Sequence, residues 1–463
     1  MRKLLRRIEV LKKVHPHFRR LQYLKFRLTG GQGGRMAQRY LRELNLSEFG
    51  SADELESASN RKLRKLISEA YNNVSYYRKL MDGNGISIGD VRTLEDLKLF
   101  PIITKQDVRD NFDALLNDRF RNKKLRLIET GGTTGTPLRL YFSKHEDAVR
   151  SAHWERWKRF AGVKQFDRFI YMGMDKNAKH QKDYSGTFTL GNSYLVASFG
   201  LNDELLWKCW PKMKEFRPVY LRGYASACYI LADFLKRHRI RYPLKAVMTS
   251  SDMLFNYQKK VIKKVFECDV FDHYGQVEDV VTATECEFHD GHHVNMESCI
   301  VEVLDADGRK LKDGEVGRIV GTQLENYCMP LIRYNVGDMG CLVTEDCRCG
   351  RKHVKIKKLL GRQDDWIITP DGKRVGVQIN QTMEPMYEEI LETQFIQETK
   401  DKLTVHFVPT MLATDDLEVR FEKAIREQVG GLIEIEFRRV AQIPKTLGGK
   451  HRLIVSKVGR MKK

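Results

Sequence analysis

Glu129-Thr-Gly-Gly-Thr-Thr-Gly-Thr-Pro137 is the stretch from which the chain is best read. Its flanks are strand-like, with Leu125, Leu127 and Ile128 before it and Leu138, Leu140 and Tyr141 after it. Glycines let the backbone turn tightly and bring successive N–H groups toward an anion, and threonine hydroxyls add donors. Such a run is either a hairpin turn or a cradle for a phosphate-like group. It is not a P-loop, because no Lys-Ser or Lys-Thr follows the last glycine.

Outward from this stretch the chain alternates helix and strand. His153–Phe160 has a helical pattern, and Phe169–Gly173 reads as a strand ending in glycine. Val219-Tyr-Leu-Arg-Gly-Tyr-Ala-Ser226, Ala246–Asp252 and Phe271–Asp279 each read as a strand running into a turn, the first two followed by helices. This alternation predicts an α/β domain, in which ligands bind beyond the strand C-termini. Gly223–Ser226, Ser250–Asp252 and Tyr274–Glu278 are therefore expected to line one crevice. Beyond residue 290 the pattern turns β-rich, and Gly361-Arg-Gln-Asp-Asp365 marks a boundary before a last unit of helix and strand. The expected organisation is a basic arm and Gly-rich hinge over 1–34, a large domain over 35–361 and a small domain over 362–463.

The chain has 463 residues, too many for one ordinary core, and a formal charge of +20. Residues 1–30 hold ten Lys/Arg (Arg2, Lys3, Arg6, Arg7, Lys12, Lys13, Arg19, Arg20, Lys25, Arg27) against Glu9. Leu4, Leu5, Ile8, Leu11 and Val14, then Phe18, Leu21, Leu24 and Leu28, recur at helical spacing. Residues 1–28 thus read as a basic amphipathic arm, either packed on the body with a solvated face or lying on an anionic membrane surface. Nucleic acid is not expected as a partner. No apolar run reaches the ~20 residues of a spanning helix, and the start is too charged for a secretory signal. With nine cysteines in no compact framework, the expected location is the cytoplasm, free or peripheral on the inner face of the membrane.

Five motifs in order resemble those of the adenylate-forming enzymes. Within that superfamily the N-terminal segments Tyr76-Tyr-Arg78, Leu94-Glu-Asp-Leu97 and Pro101-Ile-Ile-Thr-Lys-Gln-Asp-Val-Arg109 resemble the phenylacetate–CoA ligase family. Its CapK-like and coenzyme F390 synthetase-like members are included in that likeness. The resemblance implies an α/β fold with a large N-terminal domain and a small mobile C-terminal α+β domain. It implies that Thr130, Gly131, Gly132, Thr133, Thr134 and Gly135 form the phosphate loop. In His273-Tyr-Gly-Gln-Val-Glu278 it places Tyr274 against adenine and gives Glu278 to Mg²⁺, which prefers carboxylate and phosphate oxygens. In Pro330-Leu-Ile-Arg-Tyr-Asn-Val-Gly-Asp338, Asp338 takes the ribose hydroxyls; a carboxylate suits a diol because it accepts two charge-assisted bonds. In Gly361-Arg-Gln-Asp-Asp365, Arg362 contacts the nucleotide and Asp364 is the hinge. In Ile443-Pro-Lys-Thr-Leu-Gly-Gly-Lys450, Lys450 reaches the α-phosphate and the substrate carboxylate, and neutralises transition-state charge.

Cys286-x₆-His293 and Cys347-x-Cys349 offer three thiolates and one imidazole, a set suited to structural zinc, with His292 as the alternative imidazole. The resemblance favours this site, because some family members carry a metal there. Cys209, Cys228, Cys268, Cys299 and Cys328 read as buried hydrophobes.

The expected function is ATP-dependent, Mg²⁺-assisted activation of a small carboxylate as acyl-AMP. The acyl group then passes to a thiol such as CoA, an amine or a sugar-linked acceptor, with cell-surface polysaccharide synthesis as one setting. The alternatives are an adenylyltransferase that leaves AMP on the acceptor, and a non-catalytic basic binding protein on the same fold. The chain departs from the family pattern at Thr136, where a lysine is usual, at Ala225, where proline is usual, and at Gln276-Val277. These departures leave the adenylation chemistry in place and shift the expected substrate.

Overall fold

The computed structural model describes residues 31–129, 137–173, 187–190, 192–198, 200–363, 365–446 and 450–458. The basic arm, most of the Gly/Thr stretch (130–136) and Asp364 lie outside the described residues.

Helix α1 (Gly31–Ser47) opens the described chain. The expected Gly-rich hinge is therefore corrected from Gly31 onward, where the backbone is helical. Once a helix is nucleated, each added residue gains a hydrogen bond, and here Tyr40 and Leu44 anchor it on Val149 and Ala152. Helix α2 (Ala52–Asn73) starts with a capping box between Ser51 and Glu54. Helices α3 (Ser75–Gly83) and α4 (Lys105–Asp110) follow, the latter with Thr104 and Asp107 as the expected capping box. Strands β1 (Arg126–Glu129) and β2 (Arg139–Phe142) pair antiparallel with Glu129 opposite Arg139. These two strands flank the Gly/Thr stretch on either side in the sequence. Helix α5 (Lys144–Phe160) begins well before the sequence pattern at His153, because Ser143 and Glu146 cap it.

Among the described residues one sheet holds twelve strands. Its parallel part comprises β3 (Phe169–Gly173), β5 (Ser193–Ala197), β6 (Tyr220–Tyr224), β7 (Ala246–Ser250) and β8 (Val270–Gly275). β4 (Thr187–Leu190) adds antiparallel to β5 at one edge. Helices α6 (Asp203–Phe216), α7 (Ala225–Arg237) and α8 (Asn256–Phe266) connect these strands. Gly223 of β6 lies tight against β3: an added Cβ would lie 2.2 Å from the Met172 carbonyl oxygen. The antiparallel part adds β9 (Thr282–Glu285), β10 (His292–Val294), β11 (Cys299–Leu304), β12 (Gly317–Gln323), β13 (Tyr334–Val343) and β14 (Lys355–Arg362). β14 carries this sheet through Arg362, one residue past the expected boundary.

After the short pair β15 (Ile367–Ile368) and β16 (Arg374–Val375), a four-stranded sheet forms. Its strands are β17 (Ile390–Thr399), β18 (Lys402–Pro409), β19 (Glu434–Arg439) and β20 (Ile454–Ser456). Helix α9 (Leu417–Val429) covers it with Leu417, Phe421, Ile425 and Val429, which recur at helical spacing and are all buried. The two lobes share apolar contact, with Tyr257 stacked on Tyr387 and with Ile379, Met383 and Ile390 in one apolar cluster that runs through both lobes. No helix among the described residues is long and apolar enough to cross a membrane.

Candidate active site

The Pro330–Asp338 segment organises the site, and its residues have separate tasks. Tyr77 Oη donates to the Pro330 carbonyl (3.1 Å) and accepts from the Ile332 N–H (2.9 Å). Arg333 sits in the left-handed region (φ 55°). Its guanidinium holds it there by donating to the Phe100 carbonyl (2.8 Å) and to both oxygens of Glu302 (3.3 Å each). Ile103 pairs with the same segment: its N–H donates to Arg333 O, and its carbonyl accepts from Asn335 N–H. This pairing delivers Lys105 to Glu278 (Nζ–Oε1 3.6 Å). Tyr334 Oη donates to the same Glu278 oxygen at 3.2 Å.

Gly337 takes φ +81°, a conformation that favours glycine, and so turns Asp338 toward β14. There Asp338 Oδ1 meets Arg362 Nε at 3.2 Å, and Tyr274 Oη donates to Oδ2 at 2.8 Å. Tyr274, Asp338 and Arg362, which the sequence assigned to adenine, ribose and nucleotide, are thus one hydrogen-bonded group. Glu278 is buried, and its Oε1 meets both Tyr334 and Lys105. A buried carboxylate is the kind of donor that Mg²⁺ takes.

The strand ends come together, but of the segments expected to line one crevice only Ser250, Ser251, Gly275, Gln276 and Val277 line a common cavity, and Gly223–Ser226 do not. Asp252, just past β7, accepts from the N–H of Ala225 (2.6 Å), the N–H of Ser226 (3.3 Å) and Ser226 Oγ (2.5 Å). The Ala225 bond is one a proline could not donate, so this departure from the family pattern has a structural use. Ser250, Ser251, His273, Gly275, Gln276 and Val277 line a cavity of about 280 Å³ together with Trp154, Arg222 and Lys450.

Lys450 comes to this cavity from the small lobe. Its loop is tied back by Thr446, which bonds both the N–H and the carbonyl of Lys450. Arg452 pairs with Asp365 (2.6 Å) beside the lobe junction. Burial lowers the Lys450 pKa and Arg362 lowers it further, while Asp252, Glu278 and Asp338 pull it back up. Burial likewise lowers Lys105, against the pull of Glu278. Lys105, Arg362 and Lys450 therefore converge on Glu278, Asp338 and Asp252, as a site for a polyanion requires. Lys105 was not among the sequence candidates. Its signal was present in Pro101-Ile-Ile-Thr-Lys105, which reads alone as a loop entering a helix.

The cysteine cluster lies apart, on the antiparallel half of the sheet. One donor atom each from Cys286, His293, Cys347 and Cys349 lies within 4.8 Å of the others. Cys286 Sγ is 3.7 Å from Cys347 Sγ, and Cys349 Sγ is 3.5 Å from His293 Nε2. A tetrahedron with Zn–S of about 2.3 Å and Zn–N of about 2.0–2.1 Å has S···S edges near 3.8 Å and S···N edges near 3.5 Å. The donors therefore fit zinc. Burial pushes the Cys286 thiol up to about 12 and holds the His293 imidazole neutral, at about 3. His292 points elsewhere and meets Asp272 at 2.9 Å, so the imidazole in the cluster is that of His293. Of the remaining cysteines, Cys209, Cys228, Cys299, Cys328 and Cys341 are buried and Cys268 is half-buried.

Residues 367–457 match the CapK C-terminal domain. Protein CapK of Staphylococcus aureus is 23% identical over 434 residues, covering 91% of this chain and 94% of that one. The phenylacetate-coenzyme A ligase of Thermus thermophilus is 25% identical over 435 residues, covering 87% and 96%. Among solved structures, 2-hydroxyisobutyryl-CoA ligase in its postadenylation state with R3-HIB-AMP superposes with a TM-score of 0.74 at 18% identity, over 89% of this chain and 91% of that one. The same ligase with 2-HIB-AMP and CoA in the thioesterfication state scores 0.56 over the same shares. With coverage equal, the difference lies in how parts of the fold are arranged, and this chain is arranged closer to the former. The fold is that of the adenylate-forming ligases, and over most of its length the chain is similar to CapK and to the phenylacetate–coenzyme A ligases.

Proposed function

We propose that the protein activates a small carboxylate with ATP and passes the acyl group to a thiol, CoA being the leading acceptor. The convergence of Lys450, Lys105 and Arg362 on Glu278 and Asp338, with Lys450 also lining the cavity, carries this reading. In the first step a carboxylate oxygen bonds to the α-phosphorus of ATP and the bond to pyrophosphate breaks. Two anions meet there, and Lys450 neutralises the charge that develops. Asp338, fixed by Tyr274 and Arg362, takes the ribose hydroxyls. Glu278 would hold Mg²⁺, which neutralises phosphate charge when bound, and Lys105 would hold Glu278 in place. The Gly/Thr stretch 130–135 would bind phosphate. In the second step a thiolate attacks the acyl carbonyl and AMP leaves. Lys450 lines the cavity, and the thiol must also reach the acyl carbonyl there, so the small lobe would turn between the steps, with Asp364 as pivot.

Cys286, His293, Cys347 and Cys349 would hold a structural zinc, remote from this chemistry. The basic residues 1–28 would give weak attachment to an anionic membrane surface, with the catalytic body in the cytoplasm.

The test is product analysis with ATP, a panel of short carboxylates and CoA. AMP release that requires both carboxylate and thiol, with thioester formed in equal amount, is expected. AMP retained on the acceptor would make the protein an adenylyltransferase. Release of no pyrophosphate with any acid would make it a binding protein on a catalytic fold.

A further inference from the structure

The cavity that receives Lys450 contains a second cation for which the adenylation reading has no use. Arg150, on its wall, is neutralised by Asp279 (Nε–Oδ2 3.3 Å). His153 and His273 are held neutral by burial and by neighbouring arginines, each at about 3. Two cations remain: Lys450 and Arg222. Arg222 stands in β6 with its guanidinium carbon 3.5 Å from the centroid of the Trp154 ring. That separation is too short for an N–H aimed into the ring, so the two planes lie face to face. A stacked guanidinium keeps its N–H donors at its edge. Trp154 is itself fixed by stacking on His273, with centroids 4.7 Å apart and planes at 22°.

Among the described residues Arg222 has no carboxylate partner, and its Nε is sealed from solvent without a hydrogen bond. The acid that acts on it, Glu155, is engaged by Lys158 at 2.5 Å. A half-buried arginine with no carboxylate partner and an idle Nε is costly to keep, and an anion supplied by a ligand reduces that cost.

We infer that Arg222 determines substrate specificity by pairing with a second anionic group on the acyl chain, so that the substrate is a short dicarboxylic acid. This rests on the adenylation reading of the site. The reacting carboxylate meets Lys450, and the distal one meets the edge of the Arg222 guanidinium through paired N–H···O bonds. Trp154 holds the guanidinium plane, and the neutral rings of His153 and His273 wall the cavity without adding charge. A cavity of about 280 Å³ suits a short chain between the two cations. A site built for a charged hydrogen bond strongly rejects the analogue that lacks it, because the buried donor is then left unpaired.

The experiment pairs acids matched in length, succinate against butyrate and glutarate against pentanoate. Calorimetric binding and acid-dependent ATP–pyrophosphate exchange are measured for the wild type, Arg222→Gln and Arg222→Lys. In the wild type each dicarboxylate should bind and exchange at least ~100-fold better than its partner. Arg222→Gln should collapse that ratio to within about threefold, and Arg222→Lys, which keeps charge but not the fork, should leave an intermediate ratio. Should Arg222→Gln not fold, the wild-type ratio and the lysine variant decide. Exchange with monocarboxylates at least as good as with dicarboxylates would overturn the inference and leave the adenylation reading standing. Arg222-dependent dicarboxylate binding without exchange would instead sustain the specificity and overturn the adenylation reading.

Discussion

Asp338 and Arg362 stand opposite each other on adjacent antiparallel strands and form an ion pair at 3.2 Å. Arg362 is the last residue of the large sheet, so the carboxylate proposed to hold ribose is fixed from the edge of the lobe junction. Asp338→Asn keeps the shape and removes the charge. A charge-assisted hydrogen bond is worth about 1.5–3 kcal/mol, so ATP should bind roughly 10- to 100-fold more weakly. Equilibrium ATP binding measures this, and an unchanged Kd would remove Asp338 from the nucleotide site.

Lys450 should act as a protonated amine whose pKa lies below the ordinary lysine value, because burial and Arg362 disfavour its charge. The sign follows directly: the active form is the low-pH form, so adenylation is full below that pKa and falls as pH rises through it. Single-turnover acyl-AMP formation should therefore decline before pH ~10.4, the unperturbed lysine value. Lys450→Arg should shift the decline to higher pH, and Lys450→Ala should lower the rate at least ~100-fold at neutral pH. An identical pH profile in the arginine variant would assign the titration to another group.

The metal site gives a prediction separable from catalysis. Protein purified without chelator should carry about one zinc per chain. Cys347→Ser should remove it and lower the thermal midpoint by several degrees, with smaller loss of activity per folded molecule. Full stability of the zinc-free protein would show that the cluster is an apolar packing feature instead.

Stability should also depend on a buried ion pair between α5 and the antiparallel half of the sheet. Arg156 donates to Glu297 Oε1 (2.5 Å) and Oε2 (3.1 Å) and to Asn295 Oδ1 (2.6 Å), while Ser47 and His353 also reach Glu297. Glu297→Ala would leave Arg156 buried without its partner, a change that costs about 3–5 kcal/mol. Chemical denaturation should show it, and a loss under about 1 kcal/mol would mean that water replaces the carboxylate.

Much of this was legible in the sequence because it depends on local chemistry. The strand-to-turn segments at Gly223–Ser226, Ser250–Asp252 and Tyr274–Glu278 read as neighbours at one sheet edge, and parallel pairing brings the strands together, with the last two segments contributing cavity-lining residues. Lys105 was not legible, since its role arises from Ile103 pairing alongside Tyr334, more than two hundred residues away. Arg222 was missed for a similar reason: within Val219-Tyr-Leu-Arg it is one polar residue in a strand. Only the fold puts Trp154 of α5 beneath it and Lys450 in the same cavity. The Gly-rich start of α1 misled because glycine content was weighed without the contacts of Tyr40 and Leu44 further along the helix.

The central claim is that this chain joins a carboxylate to AMP. Carboxylate-dependent exchange of labelled pyrophosphate into ATP tests it most directly, because exchange requires reversible acyl-AMP formation and no acceptor. The account predicts exchange that depends on Mg²⁺, is strongest with short acids, and falls at least ~100-fold in Lys450→Ala. Exchange undiminished in Lys450→Ala, or none with any acid while ATP still binds, would contradict it.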